Sequence, residues 1–194
     1  PEFLTRSLYV PTRLWYHGET GGPAEMKILI HATLYPEGVD RKRANTTLFM
    51  HNYAAEWVRA GHEVIVIHHR VLFPKWMVAA GRRMLGLPGM ARAREFLDGY
   101  GDDPDAEFVI DGVPVIRRAM YKLVPRSLFS ARAIEARAKL CERVLAERNF
   151  APDVVVCDFV NPWLFVARRM RASLRAPVIA VIHRTCMKYF AQRS

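Results

Sequence analysis

The sequence predicts a Rossmann-like α/β fold, a doubly wound parallel sheet covered by helices in three layers. Three observations carry this. Short, mainly apolar runs recur at Lys27–Ala32, Glu63–His68, Asp153–Cys157 and Pro177–His183, as expected of strands buried on both faces. The segments between them place apolar residues at helical spacing. The resulting order, β-α-β and later α-β-α-β, favours parallel pairing through right-handed crossovers.

The elements follow in chain order. Residues 1–25 show neither periodicity and end in Gly21-Gly22-Pro23, and no uninterrupted apolar stretch marks a signal peptide. They read as upstream or vector-derived sequence. The alternative is an extension whose Leu8, Tyr9, Leu14, Trp15 and Tyr16 pack on the domain, which itself spans 26–194. The first strand, Lys27–Ala32, leads through a polar loop to a helix capped by Asn45 or Thr46 and running to about Ala60. Met50, Tyr53, Ala54, Trp57 and Val58 share one face of that helix, and Gly61 ends it. Glu63–His68 is the second strand.

Beyond it the pattern loosens. Leu72–Leu97 mixes Phe73, Trp76, Met77 and Leu85 with Lys75, Arg82 and Arg83, the composition of an amphipathic helix. Phe108–Ile110 and Val113–Ile116 flank Asp111-Gly112 and read as a tight hairpin. Ala131–Arg148 is a helix with Ile134, Ala138, Cys141 and Leu145 as its apolar stripe, broken by Pro152. Asp153–Cys157 follows as a strand. Pro162 then opens a helix with Trp163, Val166, Ala167, Met170 and Leu174 inward and Arg168, Arg169, Arg171 and Arg175 outward.

Composition narrows function. The chain of 194 residues fits one domain, and a residue mix 51% hydrophobic and 25% charged is that of a globular protein with a real core. The net charge of +10 calls for an anionic partner: nucleic acid, acidic lipid or a phosphorylated substrate. Nucleic acid is the weakest of these, because no recognition motif or basic stripe with interleaved aromatics is present. No apolar run reaches the roughly 20 residues of a membrane-spanning helix. Cys141, Cys157 and Cys186 are widely spaced and lack a C-x-x-C pair, which points to reduced thiols, a cytoplasmic setting and no metal site. The loop after the first strand lacks G-x-G-x-x-G, and no phosphate-binding lysine loop occurs, so NAD and ATP readings of the usual kind fail.

Among the histidines, His62 lies in a helix–strand turn at the far end of the sheet and reads as structural. His31 reads as a core histidine. His68 and His69 end the second strand; one can face the ligand edge, but a solvated loop is the better reading for the pair.

The runs Met26-Lys-Ile-Leu-Ile-His-Ala-Thr-Leu-Tyr-Pro36 and Gly61-His-Glu-Val-Ile-Val-Ile67, with Pro152-Asp-Val-Val-Val-Cys-Asp-Phe159 and Ala176-Pro-Val-Ile-Ala-Val-Ile-His183, resemble the glycosyltransferase family 4-like N-terminal domain. The resemblance covers Met26 to about His183. It implies one half of a glycosyltransferase-B fold, the half that binds the acceptor, and the C-terminal donor-binding domain is absent from the sequence. The implied donor is a nucleotide sugar, the acceptor a lipid-linked or saccharide hydroxyl, and the chemistry needs no metal cofactor. Such a half alone is expected to be close to inactive. Asp158 and His183 are the implied catalytic residues; Tyr35, Gly38, Asn45, Thr46, Asn161 and Arg184 line the implied acceptor and donor cleft. The departures are a single Gly38 where the family often has a glycine pair, and Arg184-Thr185-Cys186 where an acidic residue often follows the histidine.

Each of these residues also has a plainer use. Asp158 or Asn161 can cap the following helix, and His183 can pin a strand end. Lys75, Trp76, Arg82 and Arg83 suit contact with an anionic membrane surface, at the inner face of the membrane, or else belong to an ordinary helix on the sheet. The competing functions are a sugar-nucleotide epimerase of the same fold and a non-catalytic basic membrane-binding module.

Overall fold

The computed structural model describes residues 24–36, 48–84, 105–122, 129–159 and 162–182. Six strands form one sheet: β1 (Lys27–Ala32), β2 (Glu63–Leu72), β3 (Ala106–Ile110), β4 (Val113–Tyr121), β5 (Val154–Asp158) and β6 (Val178–Val181). Four helices are described: α1 (Phe49–Arg59), α2 (Lys75–Met84), α3 (Ala131–Glu147) and α4 (Trp163–Leu174). The strand order is β3-β4-β2-β1-β5-β6, and every neighbouring pair is parallel except β3–β4. This is the Rossmann-like α/β architecture that the strand–helix alternation predicts.

The sheet separates two cores. Leu29, Ile65, Ile67, Ile116 and Cys157 point toward α3 and α4, where Ala138, Cys141, Val144, Trp163, Val166 and Met170 meet them. Ile28, Ile30, Val64, Val66, Val115 and Val156 point the other way, toward Met50, Ala54 and Ala55 of α1. Alternation of side chains along each strand sends successive residues to opposite cores. Both faces are apolar because both are covered.

Local chemistry sets the ends of these elements. Helix α1 stops in a Schellman turn: His62 N–H bonds Trp57 O at 3.0 Å, Gly61 N–H bonds Val58 O at 3.0 Å, and Gly61 takes φ +89°. Ser130 caps α3, its Oγ accepting from Ala133 N at 3.2 Å. The same helix ends in a second Schellman turn through Asn149 at φ +51°, with Phe150 N–H on Leu145 O. The stop therefore precedes Pro152, the residue expected to break the helix. Asp111 and Gly112, at φ +49° and +80°, make the primed turn that a two-residue hairpin requires.

Three expectations are corrected. Strand β2 runs four residues past His68, because β4 is long enough to pair with it from Val66–Val115 to Leu72–Tyr121. His68 and His69 are consequently buried in the sheet and not in a solvated loop. On α1, Tyr53 is 48% exposed, while His51 and Ala55 join Met50 and Ala54 inside. The apolar stripe of that helix is rotated by about one residue from the one its aromatics suggest. Helix α1 begins at Phe49, and its N-cap Leu48 makes no side-chain cap; Asn45 and Thr46 lie outside the described residues.

Candidate functional site at the β1–β5 switch point

In an open parallel sheet, ligands bind beyond the C-terminal strand ends, where the winding direction reverses. Here the chain leaves β1 toward β2 on one side and returns to β5 on the other, so the reversal falls between β1 and β5. His31 pairs with Cys157 across that boundary. Asp158 is the last residue of β5, one step farther toward the crevice, and it pairs with Val181 of β6 on its other side.

Asp158 is 1% exposed. The residue after it, Phe159, has φ +80°. A bulky side chain in that region is a conformational outlier costing about 1–3 kcal/mol, and such outliers cluster at functional sites. The loop leaving β1 is tied across the crevice, since the indole Nε1–H of Trp163 donates to Thr33 Oγ1 at 2.6 Å. Trp163 is the first residue of α4 and is wholly buried.

Polar residues fill both sides of the sheet beneath this edge. On the α1 side the Tyr35 hydroxyl bonds His51 Nδ1 at 2.9 Å, and His51 Nε2 bonds Asp111 Oδ2 at 2.9 Å. Burial raises the Tyr35 phenol well above its usual range, with the Asp111 carboxylate adding to the effect. In the arrangement that satisfies all three groups, the Tyr35 hydroxyl donates to His51 Nδ1 and His51 Nε2–H donates to the Asp111 carboxylate. His68 donates Nε2–H to Thr33 O at 3.1 Å. Burial depresses His68 to about 4; the Thr33 bond opposes this, and Arg117 and Arg70 reinforce it.

On the α3/α4 side, His31 Nδ1 and His69 Nε2 are 2.9 Å apart. Burial lowers His31 to about 3, helped by the Arg137 charge. His69 is held well below the usual imidazole range by burial first, then by His31, Arg137 and His68. Arg137 is itself buried and donates Nη2–H to Ala119 O. Both described cysteines, Cys141 and Cys157, are buried thiols pushed up to about 12, in each case mainly by desolvation.

Of the residues singled out by sequence, Asp158 stands at the switch point. Tyr35 follows β1 but is fully buried, with its hydroxyl engaged by His51, so it is not open to a cleft in this structure. Gly38, Asn45, Thr46, Asn161, His183 and Arg184 lie outside the described residues. Trp76 on α2 is 66% exposed; Lys75, Arg82 and Arg83 belong to the same helix. His62 does serve structurally, its Nδ1 accepting from Met26 N at 3.3 Å. Sequence reasoning missed Arg137, His51 and the Thr33–Trp163 tie. Arg137 had a signal, a charge within the apolar stripe formed by Ile134, Ala138 and Cys141. His51 had none, because only the tertiary fold brings Asp111 to it.

A doubly wound domain whose winding reverses between β1 and β5 defines a class, the Rossmann-like α/β domains. Within it, this chain belongs to the glycosyl transferase 4-like domain family, whose model matches residues 46–193. It is a glycosyltransferase-type domain, and no helix among the described residues is long and apolar enough to cross a membrane. No curated protein matches it in sequence. Among solved structures, the macrodomain of Thermus aquaticus DarG aligns over 82% of this chain and 91% of its own, with 8% identity and a TM-score of 0.33. A likeness that weak carries no argument.

Proposed function

We propose that this domain forms the acceptor side of a glycosyltransferase that moves a sugar from a nucleotide sugar to a lipid-linked or saccharide hydroxyl. The observation that supports it best is Asp158, a carboxylate at the β1–β5 switch point followed by the strained Phe159. In this role Asp158 accepts the proton of the attacking hydroxyl, or orients that hydroxyl, once substrate has rearranged the strand-end loops around the buried carboxylate. His183 and Arg184, which follow β6 in sequence, are the further acceptor-binding residues of this reading. Basic groups and helix N-termini stabilise the departing phosphate, so the transfer needs no metal.

The test uses the enzyme carrying both the acceptor and donor halves. Asp158→Asn keeps the side-chain shape and removes the base; kcat should fall by about 100-fold or more, with donor KM little changed. An Asp158→Asn enzyme that turns over at the native rate would end the assignment.

A second reading concerns location. The exposure of Trp76, on a helix that also carries Lys75, Arg82 and Arg83, supports contact with an anionic membrane at its cytoplasmic face. Sedimentation with phosphatidylserine vesicles at low salt should carry the protein down, and Trp76→Ala should weaken this. Equal sedimentation with neutral vesicles would argue against an anionic partner.

A further inference from the structure

Three side chains that the proposed transfer does not use converge inside the α3/α4 core. His31 comes from β1, His69 from β2 and Cys141 from α3; all three are buried, and one ligand atom from each lies within 4.8 Å of the others. The sequence hides this group, since its members are dozens of residues apart and lack any familiar ligand spacing.

The described residues do not satisfy these rings. A neutral imidazole carries one N–H and one lone pair. Whichever ring donates the His31 Nδ1–His69 Nε2 bond, one N–H and one lone pair remain, on His31 Nε2 and His69 Nδ1. Both atoms are buried without a hydrogen-bond partner among the described residues. Buried polar atoms left so are rare in native proteins, and an ordered water or an ion is among the explanations for them.

We infer that His31, His69 and Cys141 form a binding site for a soft, singly charged metal ion, copper(I), held by two imidazole nitrogens and one thiolate. Ligand type supports this, because thiolate with imidazole suits copper(I) and zinc, whereas magnesium and calcium need oxygen. Ligand number separates the two candidates. Structural zinc takes four protein ligands, and the group holds three among the described residues. Charge separates them further. The Cys141 thiolate neutralises copper(I) completely, whereas zinc(II) would keep a net positive charge in a desolvated core beside the Arg137 guanidinium.

Burial already keeps both imidazoles uncharged at neutral pH. Binding breaks the His31–His69 hydrogen bond, which occupies one imidazole lone pair, so that each ring presents its lone pair to the ion. The Cys141 thiol must ionise on binding: the S–H bond breaks, a sulfur–copper bond forms, and one proton passes to solvent with no change of oxidation state. Trp163, stacked on His69, closes the site from the crevice. The ion would therefore enter during folding or through local opening.

The experiment presents the full chain, anaerobically, with copper(I) held by bicinchoninate, after refolding and in the native state. The expected result is one copper per chain, one proton released per copper, and X-ray absorption showing one sulfur and two nitrogen neighbours. Cys141→Ser and His69→Gln should lose stoichiometric uptake, while Cys157→Ala, which removes the other buried thiol of that core, should keep it. Should either ligand variant fail to fold, the wild-type proton count and absorption spectrum still decide the matter. Refolded wild-type protein that leaves the copper with the chelator would overturn the site. So would full uptake by Cys141→Ser, or preferential uptake of zinc with a four-coordinate cobalt-substituted spectrum. None of these readouts depends on glycosyl transfer, so the site and the proposed function stand or fall separately.

Discussion

The imidazole of His69 lies flat against the indole of Trp163, ring centroids 3.8 Å apart and planes 16° apart. The same indole stacks on His31 at 6.5 Å and donates its N–H to Thr33 Oγ1. One side chain at the start of α4 thus holds β1, the loop that leaves it, and β2 around the switch point. Stacking also helps to hold two histidines in the core: neutral rings pack against indole when burial suppresses their charge.

Trp163 should accordingly be among the most costly residues to truncate. Trp163→Ala removes a fully buried aromatic and should destabilise the chain by about 3–5 kcal/mol in urea unfolding. Trp163→Phe retains the stacking surface but deletes the N–H that Thr33 accepts. It should cost less, about 1–3 kcal/mol, and Thr33→Val in that background should add little, since the bond is already gone. A large further loss from Thr33→Val would assign the hydroxyl a second role.

The depressed histidines make stability depend on pH in a definite direction. Folded-state values of about 3 for His31 and about 4 for His68, with His69 also well below its ordinary value, lie under the roughly 6.5 of an unfolded chain. Between those limits the unfolded chain binds more protons than the native one, so stability falls as pH falls. It should be insensitive to these groups above about pH 6.5 and decline below it, by up to about 1.4 kcal/mol per pH unit for each histidine. Urea midpoints measured from pH 8 to pH 4 would check this. Midpoints that hold level down to pH 5 would mean that the rings are charged, or otherwise engaged, in the native state.

The fold was legible in the sequence where local pattern and burial agree. The strand β1, the Asp111-Gly112 hairpin and the inward face of α4 follow from apolar runs, turn chemistry and helical period, and each is found where the sequence puts it. What failed was set by partners remote in sequence. β2 continues through His68 and His69 because β4 lies alongside, and no property of His68-His69-Arg70 announces that neighbour. α1 buries His51 in preference to Tyr53 because Tyr35 and Asp111 offer the imidazole two hydrogen bonds, which repay its burial. Asp158 could be marked as a candidate because the C-terminal end of an inner strand is a position, and position is readable. Its burial and the strain beside it depend on loops, and were not.

The Tyr35–His51–Asp111 chain makes a further prediction. Tyr35→Phe leaves the buried His51 Nδ1 without its donor and should cost about 1–3 kcal/mol, although the ring still fills its cavity. His51→Phe should be comparably harmful alone, yet the double variant should be less harmful than the sum of the two, since no lone partner remains. A double-mutant cycle in urea measures this coupling, and a coupling near zero would show that the relay contributes nothing to stability. Gly112→Ala should destabilise the same corner by about 1 kcal/mol, because φ +80° strains any residue that carries a Cβ.

Phe159 offers a way to measure the strain next to Asp158. Its side chain packs partly against the α3/α4 core, so truncation to alanine should destabilise through lost burial. Alanine still carries a Cβ, however, and therefore retains the cost of φ +80°. Glycine does not. At ordinary positions an alanine-to-glycine step destabilises by roughly 0.5–1 kcal/mol through added freedom of the unfolded chain. At position 159 the step should reverse sign, making Phe159→Gly more stable than Phe159→Ala by about 1 kcal/mol. Urea unfolding of the two variants gives this difference without reference to the native residue. If glycine is instead the weaker of the pair, the backbone after β5 is relaxed, and Phe159 no longer marks Asp158 as a functional position. If it is the stronger and glycosyl transfer by the intact enzyme also falls, the strain belongs to the site's mechanism and not only to its fold.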